Sequence, residues 1–192
     1  MNGALHYHFI DWRHQRELMD AAQGVYCAHL NVCVWAKTNG GMGSMYRSAH
    51  ELVHVYKVGN APHQNHIQLG AYGRYRTNLW PAAGGSSGAR DDDGGLLLDL
   101  HPTVKPTALI ADILLDASSR RDIVLDVFAG SGTTIIAAER VGRFAYCMEI
   151  DPQYVDVAIR RYQRLTGRSA THAGLQCTFD ELEEQRTGGG HA

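Results

Sequence analysis

The sequence is poor in cysteine, has no strong excess of charge of either sign and contains no long apolar run. Its four cysteines form no Cys-x-x-Cys pair, so we predict buried thiols rather than disulfides or a zinc site. The formal net charge of −2 argues against a strongly basic nucleic-acid binder. No stretch approaches the length of a membrane span and no signal peptide is recognisable, which together predict a cytoplasmic protein.

Charge is nevertheless distributed unevenly along the 192 residues. Residues 1–80 hold seven lysines and arginines against four acids, together with eight of the eleven histidines. Residues 81–119 hold two basic residues against six acids. The amino-terminal part is therefore locally cationic, which permits but does not require a partner that bears phosphate groups.

Hydrophobic periodicity predicts an α/β protein in which strands and helices alternate. Strands are predicted at 4–11, 31–37, 51–58, 123–128 and 143–150. Helices are predicted at 12–23, 106–117, 132–141 and 152–166. After residue 168 we expect one short strand and a helical turn over 180–186.

One stretch joins a predicted strand to a predicted helix through a glycine turn: Asp126-Val-Phe-Ala-Gly-Ser-Gly-Thr-Thr134. Glycines let a backbone approach a ligand closely, and the helix N-terminus presents unpaired N–H groups there. Asp126 ends this strand, and Glu149 ends the next one, where an acid can accept hydrogen bonds from ribose hydroxyls. The combination predicts a nucleotide-like cofactor crevice at the carboxyl edge of a parallel sheet. The alternatives are a turn without a ligand and a nicotinamide site, although the latter usually has a third glycine where this sequence has Ile135.

Three motifs together resemble those of the DNA amino-methyltransferases, which modify adenine N6 or cytosine N4. The stretch 126–134 resembles that family's S-adenosylmethionine-binding motif, and Glu149-Ile-Asp151 resembles the motif that follows it. His101-Pro-Thr-Val-Lys-Pro106 resembles the motif that precedes both in members with the permuted, β-type order, although a rigid linker before a helix would also account for it. The implied cofactor is S-adenosyl-L-methionine. The implied cofactor-binding residues are Thr103, Lys105, Asp126, Phe128, Gly130, Ser131, Gly132, Thr133, Glu149 and Asp151.

The resemblance implies an α/β, doubly wound, Rossmann-like methyltransferase fold with a mostly parallel sheet, built as a single domain over residues 1–186. Residues 1–60 would supply strands and residues 100–170 the cofactor-binding half. Between them, residues 61–99 form an insert of interleaved basic, aromatic and amide side chains that runs into a glycine-rich, flexible linker. Residues 187–192 are expected to be a disordered tail.

Double-stranded DNA is the partner that the resemblance implies, and its candidate contacts lie in the amino-terminal half. Arginine suits phosphates or guanine edges and asparagine suits adenine, whereas a solvated loop around a buried Trp80 is the alternative for residues 72–80. The candidate DNA-binding residues are Lys37, Tyr46, Arg47, Arg74, Arg76 and Asn78. Four further arginines at helical spacing are predicted to form only a solvated helix face: Arg160, Arg161, Arg164 and Arg168.

The family's catalytic motif, an Asp, Asn or Ser followed by Pro-Pro and an aromatic residue, is absent from the sequence. None of the five prolines is adjacent to another. Asp151-Pro-Gln-Tyr154 resembles the motif superficially, but Pro152 is accounted for as the first residue of a helix. No catalytic residue is therefore assigned.

The family sheet order that the resemblance implies is 3-2-1-4-5-7-6, with strand 4 carrying the catalytic loop. Here the strands equivalent to 5, 6 and 7 come first and those equivalent to 1 and 2 follow, so the central catalytic strand is missing. We expect strands 1 and 5 either to expose their ladder groups or to pair directly with each other. A start upstream of Met1, a degraded copy or a second polypeptide that supplies the strand would each account for the gap.

His50-Glu-Leu-Val-His54 matches the zinc-protease pattern His-Glu-x-x-His. That chemistry needs a helix, on which residues four apart converge on one ion. The flanking residues predict a strand, in which the two histidines would lie roughly 13 Å apart. We therefore expect no metal site.

The expected function is transfer of a methyl group from S-adenosylmethionine to an exocyclic base amine, adenine N6 rather than cytosine N4, impaired by the absent motif. The alternatives are a non-catalytic DNA- or cofactor-binding remnant and a nicotinamide-dependent oxidoreductase. Besides DNA, the expected partner is a second copy of the chain or a chain that supplies the missing part, and no membrane is involved.

Overall fold

The computed structural model describes residues 2–41, 43, 45–71, 75–84 and 104–188. In chain order its elements are β1 (Leu5–Ile10), α1 (Gln15–Ala22), β2 (Ala28–Lys37), β3 (His50–Lys57), β4 (Leu79–Ala82), α2 (Thr107–Ala117), β5 (Ile123–Asp126), α3 (Thr133–Val141), β6 (Phe144–Cys147), α4 (Pro152–Thr166), β7 (Thr171–His172), β8 (Cys177–Thr178) and α5 (Phe179–Gly188).

The predicted strands and helices are all present, and the differences concern short elements. β4 was not predicted, because a four-residue strand that contains Pro81 has no periodic signal of its own. The tail forms two paired two-residue strands instead of one, and α5 continues to Gly188, past the expected limit of the helical turn. Residues 189–192 of the expected disordered tail lie outside the described residues.

The first sheet has four strands in the order β1-β3-β2-β4. β3 runs antiparallel to both β1 and β2, so that His54 lies opposite His8 on one side and Val32 on the other. β4 runs parallel to β2, with Trp80 opposite Trp35. The expected parallel arrangement therefore holds for β4 but not for β3, and the sheet is mixed. The order β1-β3-β2 is the one expected for strands 5, 7 and 6.

β5 and β6 form a separate, two-stranded parallel sheet in which Ile123 lies opposite Phe144 and Leu125 opposite Tyr146. Across the described part of the chain, no strand pairs with the second edge of β5 or connects it to β1. Of the two outcomes expected from the missing strand, exposed ladder groups are therefore the one observed there.

Among the described residues, an apolar core lies between the first sheet and the helices α2 and α3. Trp35 and Val53 are almost fully buried in it, and Trp35 Nε1 donates a hydrogen bond to the carbonyl of Ala82 at 3.1 Å. Because α3 follows β5 directly, the same helical layer serves both sheets. The buried members of this core are Cys33, Trp35, Val53, Val55, Trp80, Leu109, Ile110, Ile113 and Ala137.

The opposite face of the first sheet carries a cluster of histidine and tyrosine rings. His54 stacks on His29 with ring centroids 5.1 Å apart, and His29 stacks on Tyr56 at 4.5 Å. Tyr26 stacks on Tyr56 at 4.7 Å, and its hydroxyl lies 2.7 Å from Nε2 of His8. Successive side chains of β3 point to opposite faces of the sheet, so that one face carries apolar side chains of the core and the other carries the histidine and tyrosine rings.

The two histidines of the zinc-protease pattern belong to a strand, and the four cysteines differ in burial. His50 and His54 are both in β3, so the predicted strand is confirmed and the helical geometry of a zinc protease is absent. Cys33 is buried as predicted, whereas Cys147 and Cys177 are only partly buried and Cys27 is exposed because it precedes β2 at the surface. Among the described residues, no three His, Cys, Asp or Glu side chains form a group that could hold a metal ion. None of the helices described is long and apolar enough to cross a membrane.

Candidate functional site

Asp126 lies at the carboxyl end of β5 and anchors the glycine turn that follows. Its Oδ1 accepts a hydrogen bond from the N–H of Phe128 at 3.0 Å, and its Oδ2 accepts one from the hydroxyl of Thr134 at 2.6 Å. One carboxylate thus holds both the start of the turn and the first turn of α3. Asp126 therefore fixes the path of the chain between strand and helix.

Glu149 follows β6 and connects the glycine turn to the neighbouring loop. Its Oε2 accepts a hydrogen bond from the N–H of Gly130 at 2.6 Å. Its Oε1 accepts bonds from the N–H groups of Ile150 and Asp151 at 2.9 and 3.0 Å. The structure thus brings Gly130, Glu149 and Asp151 together at the carboxyl edge of the second sheet.

Gly132 allows the helix α4 to pack closely against the turn. Its φ of 80° lies in the left-handed region, which favours glycine. A Cβ at this position would lie 2.6 Å from Cβ of Ala158 and 3.1 Å from its Cα. Thr133, the next residue, is buried. Gly132 and Thr133 therefore support the turn from within the fold.

Arg161 was predicted to lie on a solvated helix face, and that prediction is wrong. The side chain is 1% exposed, and its Nη1 donates to the carbonyl oxygen of Ser131 at 2.8 Å and to the hydroxyl of the same residue at 3.3 Å. Helical spacing cannot distinguish which of several neighbouring arginines turns inward. Arg161 holds the glycine turn from behind, whereas Arg160 is half-exposed and contacts Glu183 at 2.6 Å.

Two large apolar side chains stand exposed beside the carboxylates of this crevice. Phe128 is 88% exposed and Ile150 is 98% exposed, although such residues are normally covered. Ile150 was not among the predicted residues. Its signal in the sequence is an apolar residue placed directly after the strand-end acid, just before the helix cap Asp151, which accepts from the N–H of Gln153 at 2.9 Å.

Of the remaining predicted cofactor residues, one lies beside the first sheet and one lies outside the described part of the chain. Lys105 is directed to the first sheet, with Nζ 5.0 Å from the ring centroid of Phe9 in β1. Thr103 lies outside the described residues, as do His101 and Pro102.

Beneath the crevice, burial and the negative charge of Asp126 raise the pKa of the Cys147 thiol to about 11, so this thiol is protonated at neutral pH.

The DNA-contact candidates at the end of β2 and in the loop that follows it differ in exposure. Lys37 Nζ lies 2.5 Å from Glu51 Oε1 and 4.6 Å from the ring centroid of Trp35, so its charge is compensated within the protein. Arg47 donates from Nε to the carbonyl of Gly41 at 3.2 Å. Tyr46 is 80% exposed. Tyr46 therefore presents a largely exposed aromatic ring.

The DNA-contact candidates near β4 hold the fold together. Arg76 Nε lies 2.6 Å from Asp116 Oδ2 in α2, and Arg76 also lies over the ring of Trp80. Burial raises the pKa of Asp116, while the charge of Arg76 opposes that rise. Asn78 Nδ2 donates to the carbonyl of Val32 at 2.9 Å. Arg74 lies outside the described residues.

Two cavities lie away from the crevice. One of about 340 Å³ is bounded by α1, Tyr26, His29 and Tyr56. The other, of about 410 Å³, lies along β6 and is lined by Ile135 and Tyr162 among others. The crevice at Asp126 and Glu149 is instead an open surface, as its exposed apolar side chains indicate.

A glycine turn between a parallel strand and a helix, with a carboxylate at the end of the next strand, defines a Rossmann-like α/β protein. The family model for N6/N4 methyltransferases, described as DNA methylase, matches residues 2–160. The chain therefore belongs to this family of S-adenosylmethionine-dependent DNA N-methyltransferases.

Curated relatives match over shorter segments. The chain is 44% identical over 68 residues to the type II methyltransferase M.BglII of Bacillus subtilis. The matched segment covers 35% of this chain and 18% of that protein. It is 48% identical over 61 residues to the DNA adenine methyltransferase YhdJ of Escherichia coli (strain K12). This matched segment covers 32% of this chain and 21% of that protein. The matches thus span about a fifth of each relative's own length.

The fold is shared with solved methyltransferase structures. The crystal structure of the M1.HpyAVI–SAM complex superimposes with a TM-score of 0.68 at 23% identity, over 84% of this chain and 76% of that one. The prediction of a Rossmann-like methyltransferase fold is confirmed by this similarity.

Proposed function

We propose that the crevice between the glycine turn and Glu149 binds S-adenosyl-L-methionine. We further propose that this chain is the cofactor-holding part of an enzyme that methylates an exocyclic amine of a DNA base. The observation that carries the proposal is the Glu149 carboxylate, which joins two loops at the carboxyl edge of β5 and β6, the place where an acid can accept hydrogen bonds from ribose hydroxyls. Family membership supports the same conclusion.

The residues present suit this cofactor. Phe128 and Ile150 offer exposed apolar surface to an adenine ring, and Glu149 offers acceptors to ribose hydroxyls. The N-terminus of α3 suits a carboxylate, because its first N–H groups have no partner within the helix. The proposed set remains Thr103, Lys105, Asp126, Phe128, Gly130, Ser131, Gly132, Thr133, Glu149 and Asp151, to which Ile150 is added.

S-adenosylmethionine, when bound, supplies a methyl group that an amine nitrogen can accept directly. The residues of this chain would then bind and orient rather than react. Asp126 and Arg161 hold the glycine turn in place, and Glu149 fixes the adjoining loop. Fixed geometry of this kind is the main source of acceleration in a direct transfer between two held groups.

We propose that double-stranded DNA is the substrate and that adenine N6 is its target in preference to cytosine N4. The adenine preference is supported by the name of the 48% identical relative YhdJ. Tyr46, with its exposed ring, is the strongest candidate for contact with an unstacked base. The proposed DNA-contacting set is Lys37, Tyr46, Arg47, Arg74, Arg76 and Asn78. A DNA substrate is consistent with action in the cytoplasm.

Isothermal titration calorimetry with S-adenosylmethionine tests the cofactor assignment. We expect binding in about the 1 μM to 1 mM range and no heat with NAD. Glu149→Gln should weaken binding about tenfold or more, because an amide cannot accept hydrogen bonds at both of its terminal atoms. Glu139→Gln is the matched control, since Glu139 lies at the far end of α3 and contacts Arg168 at 3.3 Å. Equal affinity of both variants, or preferential binding of NAD, would refute the assignment.

A second candidate function is non-catalytic binding of cofactor or DNA, and the absent Pro-Pro-aromatic motif favours it. Transfer of a labelled methyl group to double-stranded DNA by the purified chain separates the two candidates. We expect cofactor binding without methyl transfer by this chain alone. Methylated DNA would identify the chain as a complete catalyst. The expected partner, a second copy or a chain that supplies the missing part, also remains a proposal.

A further inference from the structure

Arg161 of α4 lies buried directly behind the glycine turn. Its side chain is 1% exposed, and its Nη1 donates to the carbonyl oxygen of Ser131 at 2.8 Å and to the hydroxyl of that residue at 3.3 Å. Ser131 is itself only 3% exposed. Both oxygens of Ser131 are therefore directed towards α4 and the interior of the protein.

This contact fixes the orientation of the peptide bond between Ser131 and Gly132. The carbonyl of that peptide accepts from Arg161, and its N–H, which belongs to Gly132, donates to the carbonyl of Ala129 at 2.9 Å. Both neighbours of Ser131 are glycines with positive φ, 51° at Gly130 and 80° at Gly132. Glycine permits more than one orientation of such a peptide, so the hydrogen bond from Arg161 decides which way this carbonyl points.

The orientation of this carbonyl matters for a negatively charged ligand. Asp126, Glu149 and Asp151 already place three carboxylates at this edge of the second sheet. A carbonyl oxygen turned towards the crevice would add further negative charge, whereas one turned towards α4 leaves the positive N-terminal end of α3 facing the ligand. The guanidinium of Arg161 is also always charged, and a charge in the protein interior acts through a lower dielectric than water. Arg161 therefore offsets the acidic edge from behind.

We propose that Arg161 is a positioning residue that makes the crevice select ligands with a carboxylate tail. Because it is buried, it acts through the Ser131 carbonyl and through its own charge rather than by touching the ligand. The inference rests on the proposed function, since the carboxylate in question is that of the methionine part of S-adenosylmethionine. Lys105, the basic residue expected here from the sequence, is directed to the first sheet instead.

Calorimetry with a pair of cofactor analogues tests this role. S-adenosylhomocysteine and 5′-methylthioadenosine share adenine, ribose and a thioether, but only the first has the amino-acid tail with its carboxylate. Arg161→Met should weaken binding of S-adenosylhomocysteine about tenfold or more and binding of 5′-methylthioadenosine less than about threefold. Arg161→Lys keeps a donor and the charge, so its affinity for S-adenosylhomocysteine should stay within about threefold of that of the unmodified chain.

Arg160→Met is the matched control, because Arg160 precedes Arg161 in α4 but is half-exposed and contacts Glu183. It should leave the affinity for both analogues unchanged. Circular dichroism would reveal whether Arg161→Met fails to fold, in which case Arg161→Gln takes its place. Glutamine keeps a donor for the Ser131 carbonyl but not the charge, and it should weaken binding of S-adenosylhomocysteine alone by about threefold or more.

Equal weakening of both analogues in Arg161→Met would overturn the proposal and leave Arg161 with a packing role. Unchanged binding of S-adenosylhomocysteine in Arg161→Met, or an equally large loss in Arg161→Lys, would also overturn it. An unmodified chain that binds both analogues equally well would do the same while leaving the cofactor assignment intact. A chain that binds neither S-adenosylmethionine nor S-adenosylhomocysteine would refute that assignment and this inference together.

Discussion

His54 is buried within the histidine and tyrosine cluster, and neither of its ring nitrogens has a hydrogen-bond partner. Burial lowers its pKa below the usual 6.5, and the neighbouring His29 and His8 lower it further. The other ring that stacks nearby is Tyr56, which offers no negative charge at neutral pH. His54 is therefore a neutral residue in the folded protein.

The buried His54 should make the first sheet sensitive to acid. Above pH 6.5 the folded and unfolded chains both hold a neutral His54, so the residue contributes no pH dependence. Below pH 6.5 the unfolded chain binds the proton first, so the free energy of unfolding falls by at most about 1.4 kcal/mol per pH unit from this residue. Urea denaturation from pH 7.5 to 5 should show this loss, and His54→Phe should reduce it.

His14→Gln is the control for this measurement, because His14 is exposed beside Glu17. His6 and His8, whose pKa values burial also lowers, should leave a residual pH dependence in His54→Phe. An unchanged pH slope in His54→Phe would mean that the buried ring already takes up the proton in the folded protein.

At the scale of single residues, the sequence predicted side chains that act through position in a motif and missed those that depend on the fold. Asp126 ends β5 and Glu149 follows β6, so their location at the same edge is a consequence of parallel pairing. Arg161 could not be predicted, because only the packing of α4 decides which arginine faces the turn. The ion pair of Arg76 with Asp116 likewise joins segments that only the tertiary structure brings together.

At the scale of elements, the contact between the turn before α3 and α4 depends on a single glycine. Gly132→Ala should lower the free energy of unfolding by about 2–4 kcal/mol, since it adds a clash with Ala158 to an unfavourable left-handed backbone. Gly167→Ala is the matched control, because Gly167 has a φ of 67° but nothing within 4 Å of its Cβ position. Urea denaturation of both variants should separate the clash from the backbone term, which alone is about 1 kcal/mol. Equal losses would indicate that α4 moves to accommodate the methyl group.

The length of an element decided how well the sequence predicted it. The helix of residues 152–166 has a cap, a proline at its first position and a glycine stop, and each is found at its predicted place. β4 has four residues and forms because β2 offers a free edge, which no local pattern reports. Short strands of this kind follow from tertiary pairing.

At the scale of the whole molecule, the helices α2 and α3 lie between two sheets that share no backbone hydrogen bonds in the described part. Ile113 of α2 is 4% exposed at this junction. Ile113→Ala should lower the free energy of unfolding by about 2–5 kcal/mol through lost burial and the cavity left behind. Hydrogen exchange should show a matching loss of protection in β3 and in β6, because both rest on the same helical layer.

Leu115→Ala is the control for this substitution, because Leu115 lies on the same helix and is 47% exposed. Its effect should be below about 1 kcal/mol. A loss of protection confined to β6 would show that the first sheet is stable without α2. The sequence could not predict this arrangement from periodicity alone, since the gap between the sheets became apparent only from the expected strand order and the absent motif.

The three backbone hydrogen bonds accepted by Glu149 have a consequence for the thermodynamics of ligand capture. They form within the chain itself, so the glycine turn and the loop after β6 lose their conformational freedom when the protein folds. A ligand that enters this crevice therefore meets loops that are already ordered, and little of its interaction energy is spent on ordering them. Affinity at such a site depends on the contacts themselves, and association can proceed without a slow rearrangement of the protein.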